Sequence, residues 1–189
     1  IKDLNTKISG DCTVEFCDIT SSYGFATYQR SVSFLMFAAF NEIMSGNGRI
    51  WVEHTINRNY FCRLAGAELT EELLSRLEDK MREMADSAYD IEKILLPIDE
   101  GRAIFQKYGL TNALKTLRFV KSANISIYKL GRYYDYLYGT IVPNTSYLKI
   151  FKLKPFSDGF ILQFESEPGK LNEARVYPKL AQVFDEYTK

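Results

Sequence analysis

The sequence predicts an α+β fold, an antiparallel sheet with packed helices, on three observations. Long segments carry apolar residues at helical spacing, several short runs are rich in β-branched and aromatic residues, and Gly or Pro breakers separate the two kinds. Hydrophobic residues make up 46% and aromatics 14% of the 189 residues, including 13 Tyr and 13 Phe, which is ample material for one well-buried core.

In chain order, Cys12-Thr13-Val14-Glu15-Phe16-Cys17 alternates after a Ser9-Gly10-Asp11 turn and reads as a strand. Residues 27–44 read as a helix, with Val32, Leu35, Met36, Ala39 and Ile43 at helical spacing. Phe34, Phe37 and Phe40 fill its other faces, so it is expected to be buried on most sides, and Ser45-Gly46-Asn47-Gly48 ends it. Residues 49–53 and 60–64 read as paired strands around Asn57-Arg58-Asn59. Thr70 is expected to cap a helix running to residue 87, because its hydroxyl can accept from an orphan backbone N–H while Glu71 and Glu72 complement the dipole. Leu73, Leu77, Met81 and Met84 form that helix's stripe. After Pro97, Asp99 is expected to cap a third helix through Ala103, Ile104 and Tyr108 to a stop at Gly109, and a short fourth helix fits residues 111–119. Strands are expected at 125–129, 133–138, 147–153 and 160–164, the last entered through an Asp158-Gly159 hairpin turn.

Lys plus Arg balance Asp plus Glu at 24 each, so no overall field draws the chain to phosphates or anionic lipid, and any nucleic-acid surface must be local. Lys149, Lys152 and Lys154 form either a weak basic ridge or a solvated strand face. The longest apolar stretch, residues 32–40, is far short of a membrane span, and no leader pattern opens the chain, so a cytoplasmic location is expected. Cys12, Cys17 and Cys62 lack a framework spacing and read as free thiols; the first two face opposite sides of their expected strand, as core or edge groups do, not ligands. His54 is the only histidine and reads as structural. No Gly-x-x-x-x-Gly-Lys-Ser/Thr phosphate cradle occurs. The chain begins with Ile in the middle of a polar and apolar alternation and reads as an excised piece.

Several words in order carry a resemblance. Leu69-Thr70-Glu71-Glu72, Leu77-Glu78-Asp79-Lys80-Met81-Arg82-Glu83-Met84, Tyr133-Tyr134-Asp135-Tyr136-Leu137-Tyr138-Gly139 and Val142-Pro143-Asn144-Thr145 resemble the second additional (editing) domain of the threonyl/alanyl-tRNA synthetase type. Phe151-Lys152-Leu153-Lys154 resembles that domain's next strand, and residues 1–20 resemble the last strands of the small TGS domain. A subgroup is similar through Asp18-Ile19-Thr20-Ser21, Arg30-Ser31-Val32-Ser33-Phe34, Glu53-His54, Tyr128-Lys129-Leu130-Gly131 and Pro143-Asn144-Thr145-Ser146-Tyr147-Leu148-Lys149. It is the N-terminal region of bacterial uridine-kinase-like proteins. The resemblance implies a TGS-like remnant over 1–22, a synthetase-like module over 23–189, and a separate kinase domain that would use ATP and Mg to phosphorylate a nucleoside.

The editing family hydrolyses a mischarged aminoacyl ester with a His pair at i and i+4 on a helix and a later Cys and His at the same offset. In related proteins such a set closes a zinc-type site. Matched by position, Gln29 and Ser33 replace the His pair, while Leu137 and Ile141 replace the Cys and His. No metal site is expected from these four, because aliphatic side chains cannot ligate and neutral oxygens suit a soft ion poorly; they are expected to seal the cleft floor instead. Asp135 matches the family's acidic residue, and Lys115 matches its cleft lysine if a gap is allowed. With Tyr133 and Tyr136 they are the ligand-cleft candidates, for a nucleoside, a nucleotide or a tRNA end held by charge-assisted bonds and stacking. The bland alternatives are an exposed ion pair and tyrosines packed in the core. Three functions follow as expectations. The first is a non-catalytic binding or regulatory module; the second is a metal-free deacylase using Lys115, Asp135 and a water; the third is a dimerisation element, with homo-oligomers formed through the parent protein.

Overall fold

Helix α1 (Ser22–Met44) is the axis about which the rest is packed. The structure, a computed structural model, describes residues 2–173. The helix starts five residues before the expected residue 27 because Ser21 is its N-cap, the Ser21 hydroxyl accepting from Gly24 N–H at 3.0 Å. Val32, Phe34, Leu35, Met36 and Ala39 are fully enclosed, on several faces of the helix, as the crowding of apolar residues requires. Each large side chain among them contributes about 1.5–3 kcal/mol of hydrophobic stabilisation. Ser45 ends the helix in the left-handed conformation, at φ 51°, and returns its N–H to Asn41 O.

Strands β1 (Arg49–Ile56) and β2 (Asn59–Ala65) form a hairpin whose two-residue turn places Asn57 and Arg58 at φ 47° and 65°. Positive φ at both positions is the turn geometry that matches strand twist. Helix α2 (Glu71–Asp86) begins as expected, with Thr70 Oγ1 accepting from Leu73 N–H at 3.1 Å. It lays Leu74, Leu77, Met81 and Met84 onto the core between α1 and the sheet. A smaller unit follows: β3 (Glu92–Pro97), α3 (Ile98–Lys107), α4 (Thr111–Leu117), β4 (Asn124–Leu130) and β5 (Tyr133–Asp135), with the three strands paired β3-β4-β5. The chain then returns to the first sheet through β6 (Phe151–Phe156), β7 (Gly159–Glu167) and β8 (Lys170–Leu171). That sheet runs β1-β2-β7-β6, with β8 on β7, and every strand pairing in both sheets is antiparallel.

The architecture is therefore α+β with two antiparallel sheets and packed helices, and two cores. The larger joins α1 and α2 to the first sheet; the smaller gathers Leu96, Phe105, Ala113, Leu117, Ile125 and Ile127. Among the described residues no helix is long and apolar enough to cross a membrane.

Several expectations are corrected. Residues 12–17 form no strand: they are exposed and have no ladder partner, and alternation without a partner does not make a strand. Cys12 and Cys17 are accordingly exposed, and only Cys62 is buried. Asp99 does not cap α3, because β3 runs directly into the helix and Pro97 holds the cap position; Asp99 instead pairs with Arg102 at 2.9 Å within the first turn. The strand expected over 133–138 stops at Asp135. The strand expected from 147 starts at Phe151, since Asn144 Oδ1 accepts from Ser146 N–H and tightens Thr145–Tyr147 into a 3-10 turn. The β6–β7 turn is Ser157-Asp158, with Ser157 at φ 50°, one residue earlier than expected. Gly159 belongs to β7, where a Cβ would stand 2.2 Å from the Cys62 carbonyl oxygen, so its lack of a side chain lets β7 approach β2. Strand β3 was not expected at all; Glu92, Lys93 and the closing Pro97 mask it, yet suit a sheet edge.

Candidate functional site

A cleft of about 460 Å³ lies at the seam of the two cores. From the larger unit come Phe37, Phe40, Asn41 and Met44 at the end of α1, the glycine-rich connection after it, and Arg49, Ile50, Trp51 and Val52 of β1. From the smaller unit come Tyr108 to Thr111 and Ala113 at the α3–α4 junction, and Tyr133 and Asp135 of β5. The site exists because the turn after α1 brings β1 alongside the last turn of that helix, while β5 carries its residues across the same helix.

Asp135 is the charged group of this cleft that burial most affects. Its Oδ2 accepts from the Tyr133 hydroxyl at 3.1 Å and its Oδ1 from the Tyr136 N–H at 2.7 Å. Burial pushes its pKa up to about 6, the two donors only partly opposing that rise. Among the described residues it takes part in no ion pair. Tyr133 is held at 5.5 Å from the Phe34 ring, and burial next to the Asp135 carboxylate raises its phenol well above the ordinary range. Tyr136 supplies its backbone N–H to Asp135 while its side chain packs against the smaller core.

Lys115 is exposed and does not line the cleft. Ala113 and Leu117 point α4 into the smaller core, so residue 115, two removed from each, turns the other way. The structure thus brings Asp135 and Tyr133 together and leaves Lys115 outside.

The four positions matched to the family's metal ligands do not line the cleft either. Gln29 is buried and its Nε2 donates to the Arg58 carbonyl in the β1–β2 turn at 2.7 Å. Ser33 is buried and its hydroxyl donates to the Gln29 carbonyl at 2.8 Å. Ile141 is part of the larger core and Leu137 packs on it. The 137–142 segment is fastened to a different face of α1, through Arg30 Nε to Thr140 O at 3.0 Å, Val142 N–H to Ser31 Oγ at 3.0 Å, and the Thr27 and Thr140 hydroxyls at 3.1 Å. Among the described residues no three His, Cys, Asp or Glu side chains gather as metal donors.

His54 sits 5.0 Å from the Phe61 ring, and burial lowers its pKa. Lys149 is tied to the end of α2, at 2.7 Å from Asp86 and 3.2 Å from Ala85 O, whereas Lys152 and Lys154 alternate outward on β6. Cleft residues that sequence reasoning missed are Trp51, Tyr108 and Arg49. No local pattern marks them, because the walls come from separate segments; being the chain's only Trp is the one signal Trp51 offers.

No family model matches the chain. Among curated proteins it is similar to threonine–tRNA ligase of Fusobacterium nucleatum, 27% identical over 161 residues, which are 84% of this chain and 26% of that protein. Threonine–tRNA ligase of Citrifermentans bemidjiense is 25% identical over 167 residues, 88% of this chain and 26% of the ligase. That of Campylobacter lari is 33% identical over 102 residues, 54% of this chain and 17% of the ligase. The chain spans about a quarter of the length of the first of these relatives. With its fold and cleft described, the chain is an α+β module similar to one region of threonine–tRNA ligases.

Proposed function

We propose that this chain is a ligand-binding module of synthetase ancestry that does not hydrolyse aminoacyl esters, and that the Asp135 cleft is its binding site. One observation carries the reading: a half-buried carboxylate held by two donors lines a preformed cleft, while the residues at the hydrolytic positions are absorbed by the backbone and the core. The ligand classes are a nucleoside, a nucleotide or a tRNA end. The parent protein, in this reading, is a cytoplasmic nucleoside kinase, with ATP and Mg held in a domain outside this chain; the words around Tyr128-Lys129-Leu130-Gly131 and Pro143-Asn144-Thr145 support it. Residues 1–22 are read as the remnant of a TGS-like domain and 23–189 as the module. Titration with uridine, a uridine nucleotide and a short CCA-ended RNA tests the binding reading. Saturable binding that Asp135→Asn weakens is the expected result, and no binding by any of the three overturns it.

A second reading, a metal-free deacylase, is favoured by one observation: a carboxylate titrating near 6 is a serviceable general base at neutral pH. The position of Lys115 outside the cleft removes the ammonium that reading had assigned. Incubation with mischarged tRNA separates the two. Hydrolysis that rises through about pH 6 and disappears in Asp135→Asn establishes the enzyme; a rate equal to the blank removes that reading and leaves the binding module to the titration.

A further inference from the structure

The net charge of zero conceals a local imbalance. Between Glu100 and Asp135 the chain has no acidic residue and seven Lys or Arg. Two of the seven are answered, Arg102 by Asp99 and Lys129 by Glu92. Lys115, Arg118 and Lys121, on α4 and the turn that follows it, are exposed and take part in no ion pair among the described residues. The helix winds on past Leu117 for one tighter turn, in which the N–H groups of Arg118, Phe119 and Val120 donate to the carbonyls of Lys115, Thr116 and Leu117. Ala113, Leu114, Leu117 and Val120 serve the smaller core, which leaves Lys115, Arg118 and Phe119 on the opposite side. Phe119 is 84% exposed there. Strand β4 turns Ile125 and Ile127 to the smaller core and Tyr128 and Leu130 to the larger one. Helix α4 lies on the Ile125 side, so its far side is the outermost layer of the smaller unit and looks away from the larger one.

We infer that this stripe docks on an anionic lipid surface, with Lys115, Arg118 and Lys121 meeting headgroup phosphates and the Phe119 ring entering the headgroup boundary. None of these four side chains lines the Asp135 cleft, so the surface acts independently of any ligand there. An RNA strand offers the same phosphates, but proteins that bind single strands without regard to sequence stack successive bases on successive rings, and this stripe has one ring. A lipid layer accepts a lone ring and long cationic stems together, because the stems carry their charges out to the phosphates while the ring is immersed. The three cations lie within seven residues of one another, inside the distance over which the field of an anionic leaflet acts.

The test is co-sedimentation of the full chain with vesicles of phosphatidylcholine alone and of equal parts phosphatidylcholine and phosphatidylglycerol. Binding to the mixed vesicles, absent with phosphatidylcholine alone and released by salt, is expected. Lys115→Gln and Lys121→Gln are each expected to weaken it about fivefold, the worth of one cation near an anionic leaflet. Phe119→Ser is expected to weaken it while leaving the salt dependence in place, since it removes the ring and no charge. Phe119→Trp, made together with Trp51→Phe so that one indole reports, is expected to shift its emission to the blue with the mixed vesicles only. All these positions except Trp51 are exposed, and an unchanged circular dichroism spectrum checks the fold of each variant. Equal sedimentation with both vesicles, undiminished binding in Phe119→Ser, or no binding overturns the inference. Single-stranded polyuridylate that binds where the vesicles do not, and loses affinity in Lys115→Gln, assigns the stripe to RNA and overturns it too.

Discussion

The Gln29 face of α1 holds buried polar groups and the Asp135 end of β5 a half-buried one, but the protein treats them in opposite ways. At Gln29 and Ser33 the side-chain donors are used on backbone carbonyls, so the positions have become fasteners of the hairpin turn and of the helix itself. At Asp135 the hydrogen bonds are made but the charge is left without a counter-ion among the described residues, beside an open cleft. A buried polar group whose capacity is exhausted internally is structural, whereas one whose charge is unanswered costs stability and marks a site.

The largest effect expected from this contrast is at Asp135. Its pKa is raised in the folded state from 3.8 to about 6, so the folded protein binds more protons than the unfolded chain between those values, and stability falls as pH rises through that window. Asp135→Asn should therefore stabilise by up to about 3 kcal/mol above pH 6, because each pKa unit is about 1.4 kcal/mol, and should do nothing at pH 3. Urea denaturation across pH checks it; a mutant no more stable than wild type at pH 8 breaks the contrast. At Gln29 the sign reverses: Gln29→Ala strands the Arg58 carbonyl and opens a small hole, with an expected loss of about 2 kcal/mol at every pH by the same measurement.

Tyr133→Phe removes one donor from the carboxylate. A loss of about 1 kcal/mol is expected, together with an Asp135 pKa higher than in the wild type, read from the carboxyl carbon shift in an NMR titration. Lys115→Ala is the smallest, within about 0.5 kcal/mol in stability and without effect on ligand affinity, as befits an exposed side chain away from the cleft. A tenfold loss of affinity in that variant would bring Lys115 back into the site.

How much of this was legible depended on whether the determining contacts are local. The extent of burial of α1 and the Thr70 cap follow from spacing and chemistry within one element, and both were readable. The segment 12–17 misled because alternation describes what a strand would look like, not whether a partner exists, and β3 stayed hidden because its pairing with β4 outweighs a charged, proline-ended sequence. In the cleft, Asp135 and Tyr133 stand in a recognisable word, whereas Lys115 was placed by allowing a gap, and a shift in helical phase of two residues reverses the direction of a side chain. Trp51 and Tyr108 meet only through the packing of one core on the other.

The place of β7 between β2 and β6 has a consequence for how the chain assembles. Phe61 pairs with Ile161, so the β1–β2 hairpin, made from adjacent residues, must wait for a strand that arrives after the whole smaller core has been made. Closing so long an interval costs only slowly increasing entropy, but it postpones the reward of the central pairing and slows folding. During synthesis, until residues 159–167 emerge, β2 presents an unpaired edge at Tyr60, Phe61 and Cys62. A nascent chain halted before that point is the form of this protein most prone to stick to its neighbours, and the smaller core, whose strands and helices are all contiguous, is the part able to form first.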